Sequence, residues 1–286
     1  MIKYSIIVTS ANKFDELNNL LFSLNYSALE ANIIVETILV LQTDAIFDFI
    51  NSRISLFTNI SIKLTRTDLI SLSKARNIGV NHSSGEWLII IDDDAYIDLS
   101  FFKVFNNLLA SNKFTVIAGK LLECGTNMPL LDIYVTGSKF LDRKDFRLFM
   151  GSAHFISKSV FDKIGNYNEN LGAGTDNFSG EESELFFRII ENNYEVYYID
   201  SLIIYHPSIK NQPVNKQVNY LKGQGAVARI AYNLYPNFFI NYNFLFLKPI
   251  LGYIYYSFVS TPNNSNGFKI NLRKLAKLLE GFFLYR

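Results

Sequence analysis

Three consecutive aspartates, Asp92-Asp93-Asp94, close the apolar run Trp87-Leu88-Ile89-Ile90-Ile91. Like charges this close repel one another, and burying them is costly unless a cation is shared. Asp92 and Asp94 stand two apart, so in extended chain their side chains point the same way. Such a pair can hold a divalent metal, or a metal and a sugar hydroxyl. By itself the triplet also fits a solvated acidic turn that stops a strand. A second carboxylate group, Gly180-Glu181-Glu182-Ser183-Glu184, stands at the mouth of an expected helix. Carboxylates in a first turn are favoured by the helix dipole by about 0.3–1 kcal/mol each, so capping accounts for one or two of them. Capping accounts less well for the loop in front, Leu171-Gly172-Ala173-Gly174-Thr175, whose glycines permit close backbone approach to a ligand. The third feature is His206, which ends a strand and precedes Pro207. A lone histidine is usually structural. Combined with carboxylate oxygens, its imidazole suits Mn²⁺ or Mg²⁺ with phosphate completing the shell.

The elements that must position these residues follow from hydrophobic periodicity. Tyr4 to Val8, Ile33 to Leu41, Ile60 to Leu64, Trp87 to Ile91 and Phe114 to Ala118 read as strands. Between them, Leu17, Leu20, Leu21 and Leu24 make a helix face, Ser73 to Val80 opens a helix, and Phe101, Phe102, Phe105, Leu108 and Leu109 mark another. This alternation predicts an α/β protein with a mostly parallel central sheet flanked by helices. In such sheets the ligand crevice lies beyond the carboxyl ends of the strands, where Asp92 falls. The irregular segment Leu121 to Phe146 bridges to a second half with strands at Phe149 to Ile156, Glu195 to Ile199 and Leu202 to Tyr205, and a helix at Ser183 to Asn192. The expected division is a domain over 1–230 in two halves (1–120 and 121–230), then a hydrophobic and basic helical tail over 231–286.

The totals set limits. The 286 residues suffice for a large core, and the net charge of +1 shows no polyanion-binding signature, so no nucleic-acid partner is expected. A single cysteine, Cys124, excludes a disulfide within the chain and fits a reducing, cytoplasmic setting. The 25 Phe and 17 Tyr are numerous for so few charged residues, with a concentration of aromatics after Tyr232.

The order Thr9, Lys74-Ala75-Arg76-Asn77, Gly85-Glu86-Trp87, Asp92-x-Asp94, Gly180-Glu181-Glu182-x-Glu184-Leu185 and Tyr205-His206-Pro207 resembles family-2 glycosyltransferases of the GT-A fold. The resemblance covers roughly residues 3 to 230, and it is specific because six local patterns occur in order. It implies an inverting, metal-dependent transferase that moves a sugar from a nucleotide diphosphate to a glycan or lipid-linked acceptor in polysaccharide biosynthesis. Carried over, Thr9, Arg76, Asp92 and Asp93 would contact the nucleotide, with Asp92 at the ribose or uracil. Asp94 and His206 would hold Mn²⁺ or Mg²⁺, and Glu182 would be the catalytic base. Gly174, Glu181 and Glu184 are candidates for contact with donor sugar or acceptor. A UDP-sugar is the first expectation for the donor. The second strand, however, runs Val40-Leu41-Gln42-Thr43-Asp44 where the family usually ends in an acidic residue that reads uracil. Gln42 can hydrogen-bond a base through its amide, which leaves the nucleotide open. Glu182 also stands where Asp is commoner.

Two rival functions share this fold. A sugar-phosphate nucleotidylyltransferase needs a glycine-rich, Arg-containing loop after the first strand, and Thr9-Ser10-Ala11-Asn12-Lys13 has no glycine. A sugar-nucleotide-binding scaffold has no need of Asp94, Glu182 and His206 together. The tail leaves a choice. Phe238 to Ser260 is apolar but interrupted by Asn241, Asn243, Lys248 and Pro249, which favours lying on a membrane over crossing it. Lys269, Arg273 and Lys277 form a basic stripe on a helix whose other faces carry Ile270, Leu272, Leu275, Leu278, Leu279 and Phe282, as in helices attached to anionic lipid. The alternative is that the tail packs on the catalytic domain and helps build an acceptor site or a dimer contact.

Overall fold

The computed structural model describes residues 3–68, 71–209, 212–259 and 265–285. Its strands are β1 (Tyr4–Ser10), β2 (Val35–Leu41), β3 (Ile60–Arg66), β4 (Trp87–Asp92), β5 (Tyr96–Ile97), β6 (Val116–Glu123), β7 (Lys139–Phe140), β8 (His154–Ser157) and β9 (Tyr197–His206). Its helices are α1 (Phe14–Glu30), α2 (Asp44–Asn51), α3 (Leu72–Asn81), α4 (Phe101–Ser111), α5 (Lys158–Ile164), α6 (Glu181–Glu191), α7 (Val214–Leu234), α8 (Phe238–Asn241), α9 (Leu247–Val259) and α10 (Ser265–Leu284).

Among the described residues, nine strands join one sheet in the order β3-β2-β1-β4-β8-β6-β9-β5, with β7 also on β9. The strands β3, β2, β1 and β4 are parallel; β1, β2 and β4 are buried along almost their whole length, as strands covered on both faces are, whereas β3, at the sheet edge, is partly exposed. Successive residues go to opposite faces. Ile6 and Val8 join Leu17, Leu20, Leu21 and Leu24 of α1, whereas Ile7 joins Ala75 and Val80 of α3. The chain leaves β1 to build β2 and β3 on one side and returns to build β4 on the other. A crevice therefore opens between the carboxyl ends of β1 and β4, where Thr9 is paired with Asp92. Beyond β4 the sheet is mixed: β8 runs antiparallel to both β4 and β6, and β6 runs parallel to β9.

Several elements differ from the sequence-based expectation. The strand expected from Phe149 begins only at His154, because Gly151 turns the chain with φ of 50° and Arg143–Leu148 forms a 3₁₀ helix. The two short strands expected around residue 200 are one strand, β9, whose pairing with β6 slips between Ala118 and Lys120. Helices α2, α5 and α7 were not anticipated.

The tail packs on the rest of the molecule. Helix α7 continues past residue 230, and α10 lies along it while also contacting α9. The approach is backbone to backbone. A Cβ built on Gly225 would lie 2.1 Å from the Leu278 carbonyl oxygen, and one on Gly281 would lie 1.9 Å from that of Lys222. Leu278 and Phe282 are buried in the same contact. Gly225→Leu and Gly281→Leu should therefore each lower unfolding free energy by about 1–3 kcal/mol, the usual cost of overpacking. Gly252→Ala, with nothing within 4 Å of the added carbon, should not. Urea unfolding of the three variants checks this, and equal midpoints would show that α7 and α10 are not locked together. No helix among the described residues is long and apolar enough to cross a membrane.

Candidate active site

The crevice at the ends of β1 and β4 collects the acidic triplet and fixes each member differently. The Asp92 amide donates to Ser152 Oγ at 2.8 Å. Asp93 accepts from Ser10 Oγ at 2.6 Å. The Lys13 ammonium lies 2.6 Å from Asp94 and 3.1 Å from Asp93, so a cation already sits against the second and third carboxylates. Burial works against the Lys13 charge, but hydrogen bonds to and charges of Asp94 and Asp93 outweigh it and raise its pKa.

Helix α3 starts at Ser71, whose hydroxyl caps the Lys74 amide, and places Arg76 in its second turn with 2% exposure. The guanidinium forks between three carboxylates. Its Nη2 is 2.9 Å from Asp92 Oδ1, and its Nη1 is 3.0 Å from Glu182 Oε1 and 3.2 Å from Glu181 Oε1. This bridge joins the end of β4 to the start of α6. Beneath it, the Tyr167 ring lies 5.6 Å from the guanidinium carbon, and the Tyr167 hydroxyl is 2.5 Å from His154 Nε2. Burial and the Arg76 charge push the His154 pKa down to about 3, so its neutral ring accepts from that hydroxyl.

The first turn of α6 follows Gly180, at φ of 100°, where a Cβ would lie 2.8 Å from Val227 of α7. The corner that carries Glu181 and Glu182 is thus pressed against α7. Burial raises the pKa of both. For Glu181 the Glu182 charge adds to this, for Glu182 the Asp92 charge does, and Arg76 opposes the rise in each case. Asp92 goes the other way: burial would raise it, but the Arg76 charge, with hydrogen bonds to Arg76 and Ser152, outweighs burial and holds it low.

His206, at the end of β9, points Nε2 at the triplet, 3.6 Å from Asp94 Oδ1 and 3.8 Å from Asp92 Oδ2. Its Nδ1 is 2.8 Å from the Pro207 carbonyl oxygen, which can only accept. Nδ1 therefore carries the proton, and the lone pair of Nε2 faces two carboxylate oxygens. An acceptor nitrogen opposite two anions is a place for a cation, and its donor set fits Mn²⁺ or Mg²⁺. Among the described residues no group of three His, Cys, Asp or Glu is close enough to hold an ion unaided. A metal held by Asp94 and His206 would have to take the rest of its shell from phosphate and water.

Two recesses meet here. A small one, about 190 Å³, is lined by Thr9, Ser10, Ala11, Gln42, Leu72, Asp93 and Ala173. A larger one, about 400 Å³, shares Leu72 and Ala173 with it and runs from Asp92, Arg76, Glu181 and Glu182 to Phe146, Phe178, Tyr220 and Leu245. The fold thus gathers Thr9, Gln42, Arg76, Asp92, Asp93, Asp94, Glu181, Glu182 and His206. It does not bring in Glu184, whose carboxylate forks onto Arg188 at 2.7 and 2.9 Å. Gly174 faces a separate surface recess with Lys74 and Lys222, while its neighbour Ala173 lines the crevice. Asp44, the nearest acidic residue after β2, pairs with Arg66, so Gln42 is the base-reading candidate at that strand end. Sequence reading missed Lys13, Ser152 and the cavity residues of α7, Tyr220 and Gln224. Only Lys13 had a local signal, as a cation in the loop after β1.

The family model for glycosyl transferase family 2 matches residues 5–165, more than half of the chain, including β1, Arg76 and the aspartates. The chain belongs to glycosyl transferase family 2. No curated sequence is similar enough to stand as a relative of this glycosyltransferase. Solved structures do resemble it. S. aureus TarS residues 1–349 superpose with a TM-score of 0.66 at 14% identity, covering 99% of this chain and 81% of that one. A complex of the same TarS fragment with UDP-GlcNAc gives a TM-score of 0.66 at 13% identity, over 98% and 82%. The mannosyltransferase PcManGT from Pyrobaculum calidifontis, in complex with GDP-Man and Mn²⁺, gives 0.68 at 11% identity, over 99% and 88%. The family-2 enzyme therefore has the GT-A fold, and its likeness to these structures continues past residue 165 along nearly the whole chain.

Proposed function

We propose that this glycosyltransferase moves a sugar, with inversion, from a nucleotide diphosphate to a hydroxyl of a glycan or lipid-linked acceptor in polysaccharide biosynthesis. The observation that carries this reading is the bridge through Arg76, which joins the nucleotide-side Asp92 to Glu182 in one continuous crevice. Thr9, Gln42 and Asp93 line the recess proposed for the nucleotide, and Asp92 lines the larger recess that adjoins it. A UDP-sugar is the leading donor and a GDP-sugar the next, in keeping with the TarS and PcManGT complexes, which hold UDP-GlcNAc and GDP-Man. Asp94 and His206 would hold Mn²⁺ or Mg²⁺, which when bound neutralises the diphosphate as a leaving group. Glu182 takes the proton of the acceptor hydroxyl as its oxygen attacks the anomeric carbon from the face opposite the nucleotide. The bond to the diphosphate breaks on the other side, which inverts that centre. The wall of Phe146, Phe178 and Tyr220 offers aromatic faces to an acceptor sugar or its carrier. The proposed setting is cytoplasmic, peripheral to an anionic membrane surface.

Asp94→Ala and His206→Ala should each weaken manganese-dependent donor binding by about tenfold or more while leaving the melting temperature of the free enzyme near normal. Both side chains are partly exposed in the crevice, so removing them opens no core cavity. The check is a manganese titration of UDP-sugar and GDP-sugar binding after chelation. A variant that keeps the full manganese response is not missing a metal ligand.

A further inference from the structure

We infer that the outer faces of α9 and α10 seat this enzyme on an anionic lipid bilayer, an inference that rests on the membrane setting proposed above and names the face that makes it. Helix α9 turns Ile250, Tyr253 and Ser257 toward the protein and leaves Leu247, Leu251, Ile254 and Tyr255 exposed. At 100° per residue those four fall within an arc of roughly 100°, a continuous apolar strip. Leu251 is 66% exposed and Tyr255 60% exposed. Lys248 borders the strip. Helix α10 buries Leu278 and Phe282 against its neighbours, yet exposes Phe268, Leu272 and Phe283, with the exposed cations Lys269 and Arg273 beside the first two. Packing on the domain and presenting an apolar outer face are thus both properties of this tail.

Charge selects the occupant of that face. Residues 201–286 hold ten Lys and Arg and a single acidic residue, Glu280, whereas residues 1–200 hold 17 basic and 25 acidic residues. Glu280 itself is tied to Lys222 and Lys277 at 2.8 and 2.6 Å, so it does not offset the exposed cations. A second copy meeting this face through a two-fold axis would bring like charges together. A bilayer with anionic headgroups meets both features: the strip enters the boundary between headgroups and acyl chains, and the flanking cations meet the lipid charge. Neither helix is fit to cross, so attachment is interfacial.

The test is co-sedimentation of the full chain with phosphatidylcholine vesicles, with and without phosphatidylglycerol, at low and high salt. Binding should require phosphatidylglycerol and weaken with salt. Leu251→Asp with Ile254→Asp should lower partition at least tenfold, and Lys269→Ser with Arg273→Ser about fivefold per cation removed. All four positions are outside the core, so melting temperature should not move. Nucleotide diphosphate release in solution should also persist in these variants, which separates failure of docking from failure of the transferase reading. A wild-type chain that stays in the supernatant at low salt overturns the inference. So does equal binding to neutral vesicles, or a dimer in light scattering that the Leu251→Asp, Ile254→Asp variant dissolves.

Discussion

Glu182→Gln should lower kcat by about 10²-fold or more with donor KM nearly unchanged, because a positioned general base typically contributes 10²–10⁴-fold. The amide keeps the size of the side chain, and its oxygen can still accept from Arg76, 3.0 Å away in the parent. What it cannot do is take the acceptor's proton. Glu182 also sets a pH signature. Burial, reinforced by the Asp92 charge and opposed by Arg76, raises its pKa above the ordinary value of 4.5. The base works deprotonated, so kcat should climb with pH through that raised value, and the acid limb should lie to the alkaline side of 4.5. A pH profile of single-turnover rates in the parent and the variant measures both effects. Unchanged turnover would pass the role to Glu181, which shares the same cavity, and not to Glu184, which Arg188 holds outside it.

Arg76→Met should cost about 3–5 kcal/mol of stability, the range for removing one partner of a buried ionic group. The loss is large because Asp92, Glu181 and Glu182 all lean on this one guanidinium. Its pH dependence has a definite sign. Glu181 and Glu182 have raised pKa values, so their contribution to stability is full below 4.5 and is lost as pH rises through the folded values. Without Arg76 those values rise further, and the penalty of keeping the pair ionised grows. Asp92 works oppositely: its lowered pKa gives stability above 3.8 that is lost as pH falls, and without Arg76 that gain goes too. The deficit of Arg76→Met should therefore be widest at neutral pH and narrow on acidification. Urea unfolding at pH 7 and near pH 5 tests this, with Arg76→Lys recovering only part because an ammonium cannot fork to both sides. A deficit independent of pH would mean that the carboxylates do not depend on Arg76.

Much of the site was legible because its residues sit at the ends of apolar runs. Ile89, Ile90 and Ile91 announce β4, and the charge that follows must fall at the crevice. The Glu181 to Glu184 group and His206 stood out the same way, from the start of a helix and the end of a strand, and the resemblance to the family singled out Glu182 within that group. The role of Arg76 was less visible. Lys74-Ala75-Arg76 reads locally as a helix with a cation available to a nucleotide. That its guanidinium is buried beneath carboxylates 16, 105 and 106 positions away is a fact of tertiary packing. Helix α7 escaped notice because Gly223 and Gly225 weaken a helical signal, although they are the residues that let Ser179 and α10 approach. The basic stripe of Lys269, Arg273 and Lys277 was legible from its helical spacing, whereas the charge imbalance of the whole last 86 residues is cancelled by the acidic first part in the net charge of +1.

The most direct test of a nucleotide-sugar transferase is donor turnover by the intact chain with Mn²⁺. UDP- and GDP-sugars are screened first for a rise in melting temperature, since a ligand at 100 times its Kd adds about 2.7 kcal/mol of stability. The donors that stabilise are then followed for release of the nucleotide diphosphate. At least one should be consumed over many turnovers, with release abolished by chelation and cut about 10²-fold or more in Glu182→Gln. A donor that binds with manganese yet is never consumed with any glycan or lipid-linked acceptor, or is consumed equally fast by Glu182→Gln, would contradict the catalytic assignment.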